Sequence, residues 1–296
     1  MTATQRNADI AEIWDQQSIW SQAANQLKAS VEKARTTALG LVITAAALAT
    51  AASQTMDITS WLGPLLAFAA AGAAGAAPMV AQRGGPSRLS DWIRARAVSE
   101  ALKAEVYICL SGTGPYRDRD GAAALLAQRA HRFRSDATDL VRHTTGITPA
   151  ARPLPPVGDI ESYVEQRLRR QIDGYYRPKA LFMHGRVERV ARVELVFGVL
   201  GALLAAAAGA FAVDLLAAWV AVAASLSIAV TAHGIAQRYA YQHLEFQRTA
   251  EQLEHLLEEW NADTTGCHQR TATLVTDCEH VISIQNEAWM IRWTVS

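Results

Sequence analysis

The stretch Val193–Val213 reads VELVFGVLGALLAAAAGAFAV, and Leu215–Ala232 beyond it reads LLAAWVAVAASLSIAVTA. Glu194 is the one charge inside them and Asp214 the one charge between them. A bilayer core about 30 Å thick takes about 20 mostly apolar residues in a helix, and both stretches reach that range. A surface helix of a soluble protein shows a polar stripe every three to four residues, and Leu195–Val213 shows none. The competing reading, a soluble bundle of alanine-rich helices, therefore gives way to membrane insertion. Two further stretches repeat the arrangement: Thr36–Ala52 (TTALGLVITAAALATAA) and Trp61–Ala81 (WLGPLLAFAAAGAAGAAPMVA). The sequence thus predicts an all-α membrane protein, with four transmembrane helices arranged as two tandem helical hairpins.

Charge orients them. Short cytoplasmic flanks collect Lys and Arg while translocated turns lack them. Ser53–Ser60 between the first pair has neither, and the turn at Asp214 has neither. The opposite flanks carry Lys28, Lys33, Arg35, Arg83, Arg88, Arg94, Arg96, Lys179, Arg186, Arg189, Arg192, Arg238 and Arg248. Both termini and the middle of the chain are accordingly expected in the cytoplasm, and the localisation is a multi-pass cytoplasmic membrane protein. The first 35 residues are polar and lack the pattern of a cleaved signal peptide. Trp61 and Trp219 fall near the outer interface, where an indole suits the headgroup region.

Outside the spans, amphipathic helices extend the membrane segments. Ile10, Ile13, Gln17, Trp20, Ala24, Leu27, Val31 and Ala34 recur at spacings of three and four, the seam of a helix packed on a partner. Tyr239, Gln242, Phe246, Ala250, Leu253, Leu257 and Trp260 repeat the pattern, as do Leu274, Cys278, Val281, Ile284, Ala288, Ile291 and Val295. Such coiled-coil-like stripes bury a cytoplasmic core or pack across subunits, and a stiff continuous helix would carry its movement into the membrane. The halves share an order, and RAVSEALKAEVY from Arg96 lies 151 residues before RTAEQLEHLLEEW from Arg248, matching Glu100 and Leu102 to Glu251 and Leu253. The division expected is 1–110 for the first two-transmembrane unit, 111–158 for a cytoplasmic linker and 159–296 for the second unit. Ala122–Val141 reads as a helix, and Asp159 as the cap of one ending at Gly174, with Pro178 opening the next.

Little chemistry is legible. Lys+Arg and Asp+Glu total 28 each, which removes the basic surplus that nucleic-acid binding requires. Three cysteines, Cys109, Cys267 and Cys278, form no disulfide framework. Cys267-His268 and Cys278-x-His280 lack the paired spacing of zinc sites, and Cys278 belongs to an apolar stripe. Ser111-Gly-Thr-Gly has the glycines of a phosphate loop without its Lys and Ser/Thr, and reads as a turn. His243-x-Glu245 lacks the second His of the zinc-protease motif. His184 and His233 stand near span ends, where a solvated ring is the simpler reading than a protonation sensor. No catalytic residue, cofactor or metal is expected. The candidate pore-lining residues are Thr44, Ser227 and Thr231, the last two on one helix face, against the alternative that each hydroxyl bonds its own helix. Small residues at spacing four, Gly201, Ala205 and Gly209, with Ala67, Ala71 and Gly75, are candidate positions for close helix approach.

Several motifs together resemble the SLATT family, the SMODS and SLOG-associating two-transmembrane effector domains. They are the hairpin with a very short outer turn followed by R-x-x-S-E-x-L-K at Arg96–Lys103, Tyr163-Val-Glu-Gln-Arg-Leu, Tyr175-Tyr-Arg-Pro-Lys-Ala, and the tail Glu279–Trp289. The resemblance spans nearly the whole chain as two copies, where the simplest member has one hairpin. It implies a bacterial defence effector that forms pores as a homo-oligomer, serving a cytoplasmic sensor or nucleotide-signalling partner. The alternative is a non-conducting, membrane-anchored scaffold or sensor.

Overall fold

A computed structural model of the chain describes residues 3–56, 59–211, 214–262 and 268–294. Nine α-helices appear among them, and no strand: α1 Ala3–Thr55, α2 Leu62–Gln82, α3 Pro86–Ser111, α4 Ala122–Ser135, α5 Ile160–Tyr163, α6 Arg177–Phe211, α7 Asp214–Gln237, α8 Tyr239–Ala262 and α9 His268–Thr294. Short 3-10 turns lie at Gly114–Tyr116 and Thr138–His143. Ala122–Val141 is therefore not one helix: α4 stops at Ser135, and Thr138–His143 continues as the 3-10 turn.

The expected break at Gly174 is also absent. Asp159 does cap the helix, accepting from the Ser162 N–H at 2.9 Å while the Ser162 hydroxyl returns to the Asp159 N–H at 3.1 Å. From there Ile160–Phe211 runs unbroken, through π-helical turns at Val164–Arg169 and Ile172–Tyr176. A proline ring in a helix meets the carbonyl four residues back, which for Pro178 belongs to Gly174. The wider π turn at that point lets the helix pass the proline instead of stopping.

The other long helices do break. Pro86 opens α3 after a turn at Arg83–Gly85, where proline's missing N–H costs nothing. Between α7 and α8, Arg238 takes a left-handed φ of 52°, and the Gln242 amide donates to the freed Gln237 carbonyl at 2.8 Å.

The chain divides into two compact units, each drawing on both halves of the sequence. The first, here the polar unit, comprises 1–29, 86–180 and 244–296. Its core is conventional. Ile10, Ile13, Gln17, Trp20, Ala24 and Leu27 of the α1 stripe are all buried, as are Phe246, Ala250 and Leu253 of α8. Leu102 and Leu253, matched between the halves, are both 0% exposed. In α9 the buried face is Leu274, Val275, Cys278, Glu279 and Ile282, with Val281 only partly buried. The side chains of Ile284, Ala288, Ile291 and Val295 lie outside the described residues. The proline-rich stretch 144–158 is strapped onto α1: Trp14 Nε1 donates to Pro153 O at 3.1 Å, Gln22 to Thr148 O at 2.9 Å, and the Arg152 guanidinium lies 3.7 Å over the Trp14 ring.

The second unit, 30–85 and 181–243, holds the four apolar stretches. The helices carrying them are long and apolar enough to cross a membrane. It is turned inside out relative to a soluble domain. Phe68 is 81% exposed, Leu203 64% and Ile228 70%. Among the described residues, every exposed large hydrophobic side chain except Val141 and Leu244 belongs to this unit. Exposed apolar surface on that scale is typical of a membrane-facing or protein-binding surface.

Candidate functional site

In the membrane unit, polar side chains of different helices meet at Glu194 and at Gln54. The Thr231 hydroxyl lies 2.6 Å from Glu194 Oε1 of α6 and 3.0 Å from the Ser227 carbonyl of its own helix, so α7 brings Thr231, and not Ser227, to the carboxylate. Trp219 Nε1 donates to Gln54 Oε1 at 3.0 Å, joining α7 to α1. An ionisable side chain in such surroundings is costly unless partnered, and Glu194 has its partner in Thr231. Thr44 is not drawn into this group; it is exposed on α1.

The small residues behave unevenly. A Cβ on Gly201 would sit 3.8 Å from the Ala223 Cβ, so α6 and α7 touch there. Ala205 and Gly209 are exposed, as are Ala71 and Gly75, with Ala67 partly buried. The buried small residues of α2 are instead Gly63, Ala70 and Ala77. Tight approach also occurs at two glycines that spacing did not single out. A Cβ on Gly63 would meet the Met56 backbone at 2.8 Å, and one on Gly234 would meet Val190 Cγ1 at 3.0 Å.

The polar unit contains a buried ionic cluster that sequence patterning missed. Arg167 is 1% exposed and Glu279 5%. Arg167 Nε and Nη2 reach Glu279 Oε1 and Oε2 at 2.9 and 2.8 Å, a two-pronged pairing. Tyr163 donates to Glu279 Oε1 at 2.8 Å, and the Arg167 guanidinium stacks 4.6 Å over the Tyr107 ring. Arg96 pairs with Glu100 at 2.7 Å, and Gln17 donates to the Ser99 hydroxyl at 2.9 Å. Arg167 Nη1 is buried with no partner among the described residues.

The electrostatics follow from this crowding. Burial pushes the Glu100 carboxyl up, but Lys103, Arg96 and Arg167 outweigh it and hold Glu100 below the usual carboxylate range. Lys103 is the loser. Burial, aided by Arg167 and Arg96, brings its ammonium down to about 8. Burial and the Glu279 carboxylate push the Tyr163 hydroxyl up, so it stays a donor. Burial also raises the Cys278 thiol, and Cys278 is 0% exposed beside this cluster, a packing residue in its surroundings. Cys267 and the His268 side chain lie outside the described residues. No group of three metal-ligating side chains occurs among the described ones.

The cluster assembles the stretches that carried the resemblance: Arg96–Lys103 from α3, Tyr163 from α5, Arg167 from the first π segment, Tyr175 and Tyr176 from the second, and Glu279 from α9. The signal was present as polar residues inside helices, Ser99, Arg167 and Glu279, but periodicity counts apolar positions and passes over them.

Residues 163–289 match the model of the SMODS and SLOG-associating 2TM effector domain 1. This region resembles a SLATT domain. The SLATT match begins at Tyr163 and ends at Trp289, so it encloses α6, α7 and both sides of the Arg167–Glu279 pair. Residues 18–124 match a different family, described as a protein of unknown function (DUF4231), which encloses α1 from residue 18, α2 and α3. The SLATT model thus covers one hairpin, and the other hairpin has its own family. No curated protein and no solved structure matches the chain.

Proposed function

We propose that the protein is a membrane effector of a bacterial defence system that forms a channel or pore as a homo-oligomer and is opened through its polar unit. The observation that carries the reading is the exterior of the membrane unit. Large apolar side chains cover it, yet Thr44, Ala71, Gly75, Ala205 and Gly209 leave small or hydroxylated positions on the outside. Small exposed residues suit close packing against helices of other copies. Four helices with alanine-rich interiors enclose little room, so conduction needs several chains. Thr44 from each copy, Ser227, and Thr231 beside Glu194 are the hydroxyls such a pore would use.

The positive flanks support a cytoplasmic-membrane location with both termini and the polar unit in the cytoplasm, where a sensor or nucleotide-signalling partner would reach it. Helix α1 and the helix 160–211 each run without interruption from residues of the polar unit into residues of the membrane unit. Movement of one end of such a helix is movement of the other. The effect needs no catalysis and no cofactor. Each half also pairs one unbroken helix with one interrupted by a turn, at Arg83–Gly85 and at Arg238, which supports descent of both from one two-transmembrane unit.

Purified protein in liposomes, assayed for ion flux and dye release beside its native mass, tests this. Triggered flux from an oligomer is expected. A stable monomer that leaks nothing under any trigger supports the non-conducting scaffold instead.

A further inference from the structure

The Ser111-Gly-Thr-Gly stretch acquires a role in the structure that its sequence alone does not give it. Gly112 and Gly114 both take positive φ, 67° and 56°. The turn they make ends α3 and forms the wall of a cavity of about 540 Å³ in the polar unit, together with Arg117, Arg119, Asp159 and Thr271 of α9. Pockets for small ligands run from about 300 to 1,000 Å³. Arg119 also lines an adjacent cavity of about 280 Å³ with Arg6 and Gly158.

Arg119 is seated and not waving. Its Nη1 donates to the Leu110 carbonyl at 3.3 Å and its Nη2 to the Gly158 carbonyl at 3.1 Å. A Cβ on Gly112 would lie 2.4 Å from Nη2, so only glycine lets the guanidinium rest against the turn. Its hydrogen-bond partners among the described residues are carbonyls. The hydroxyls of Ser111 and Thr113, 2.9 Å apart, stand in the same wall. Among the described residues, Arg119, Arg117 and Arg6 line the paired cavities, and Asp159, the carboxylate that lines them, is engaged by Ser162 and held below the usual range.

We infer that this cavity binds a compact soluble molecule bearing several phosphates, held by Arg119 and Arg117 with the hydroxyl of Thr271. Fixed guanidiniums with hydroxyl donors are the chemistry of phosphate recognition. Among the described residues no aromatic side chain lines the larger cavity, and recognition through phosphate oxygens needs no stacked ring. Thr271 belongs to α9 and Asp159 caps the long helix 160–211. An occupant would join the α3–α4 loop to both, which makes it a ligand for the gating proposed above. That consequence rests on the effector reading; the binding does not.

The test titrates tripolyphosphate into the full chain in zwitterionic nanodiscs at fixed ionic strength, by calorimetry. One saturable site per chain is expected. Arg119→Gln should weaken it at least tenfold and Arg117→Gln several-fold, while Arg88→Gln, an exposed arginine elsewhere on α3, leaves it unchanged. Should Arg119→Gln fail to fold, Arg117→Gln and Thr271→Val decide. Unsaturable heat, equal loss in the Arg88 variant, or unaltered affinity in a folded Arg119→Gln overturns the inference. Tighter binding of glycerol 1-phosphate than of tripolyphosphate overturns it in favour of a lipid headgroup. Absence of flux in liposomes with intact tripolyphosphate binding would sink the pore reading alone.

Discussion

The polar unit hides charge and the membrane unit displays grease. In the first, Arg167 and Glu279 are nearly inaccessible; in the second, Phe68, Leu203 and Ile228 are mostly exposed while the buried positions of α2 are glycine and alanine. A chain with a mean hydropathy of only +0.04 achieves both because its apolar residues are segregated. Water tolerates the outside of the polar unit, and the ion pair inside it requires full pairing because an uncompensated buried charge is expensive. Lipid tolerates the outside of the membrane unit, where charge costs most.

The largest effect expected is in the polar unit. Glu279→Ala leaves Arg167 buried and unpaired, at a cost of about 3–5 kcal/mol. Thermal unfolding of the detergent-solubilised protein should show it, and the double variant Arg167→Met with Glu279→Leu should recover most of the loss. A Glu279→Ala protein as stable as wild type would mean that the pair is solvated and the contrast between the units false.

Next comes a substitution whose cost depends on the solvent. Leu203→Asp at an exposed position would be worth about 0.5 kcal/mol or less on a water-facing surface, but about 2.5–3.5 kcal/mol in the middle of a bilayer. A sharp fall in the carbonate-resistant membrane fraction is expected for it, and none for Val141→Asp in the polar unit.

The third sharpens the electrostatics. Lys103 is depressed to about 8 in the fold, and an unfolded lysine titrates near 10.5. Between these values the unfolded chain binds the extra proton, so stability should rise with pH from about 8 upward. Near pH 10 the trend is opposed, because buried tyrosines such as Tyr163 and Tyr175 keep their protons while unfolded ones lose them. Lys103→Met should flatten the rise between pH 8 and 10, as read by unfolding midpoints across that range. An unchanged slope would place the lysine in water.

The smallest effect concerns the break between α7 and α8. A left-handed φ costs a non-glycine residue about 1 kcal/mol, so Arg238→Gly should stabilise the chain by about that much, less any contribution from the lost side chain. Destabilisation would show that the side chain matters more than the backbone strain.

Much of the architecture was legible because both solvents write in the same alphabet of apolar positions. The α1 stripe from Ile10 to Leu27 packs as its spacing predicts, and the four uncharged stretches become helices with apolar exteriors. What failed was punctuation. Gly174 and Pro178 look like the end of one helix and the start of another, yet π turns carry the helix through; a widened turn has no sequence period of its own. Ala122–Val141 looks like a single helix, but its last turn tightens to 3-10 geometry. The ionic cluster was invisible for another reason. Arg167 and Glu279 are 112 residues apart, and a polar residue on a helix reads as solvated until its partner is known. The candidate pore residues were legible only as hydroxyls in apolar surroundings, and Glu194, noticed as an interruption, turned out to be the acceptor for Thr231.

The central claim is that lipid surrounds the segment pairs 36–81 and 193–232, and spin-label accessibility reads it directly. Single-cysteine variants labelled at Phe68, Leu203 and Ile228, in liposomes, should show relaxation by oxygen far exceeding that by a water-soluble nickel chelate. Labels at Val141 and Glu251 should show the reverse. Strong nickel relaxation at positions 68, 203 and 228 would mean that water faces these helices, and the membrane account would be wrong.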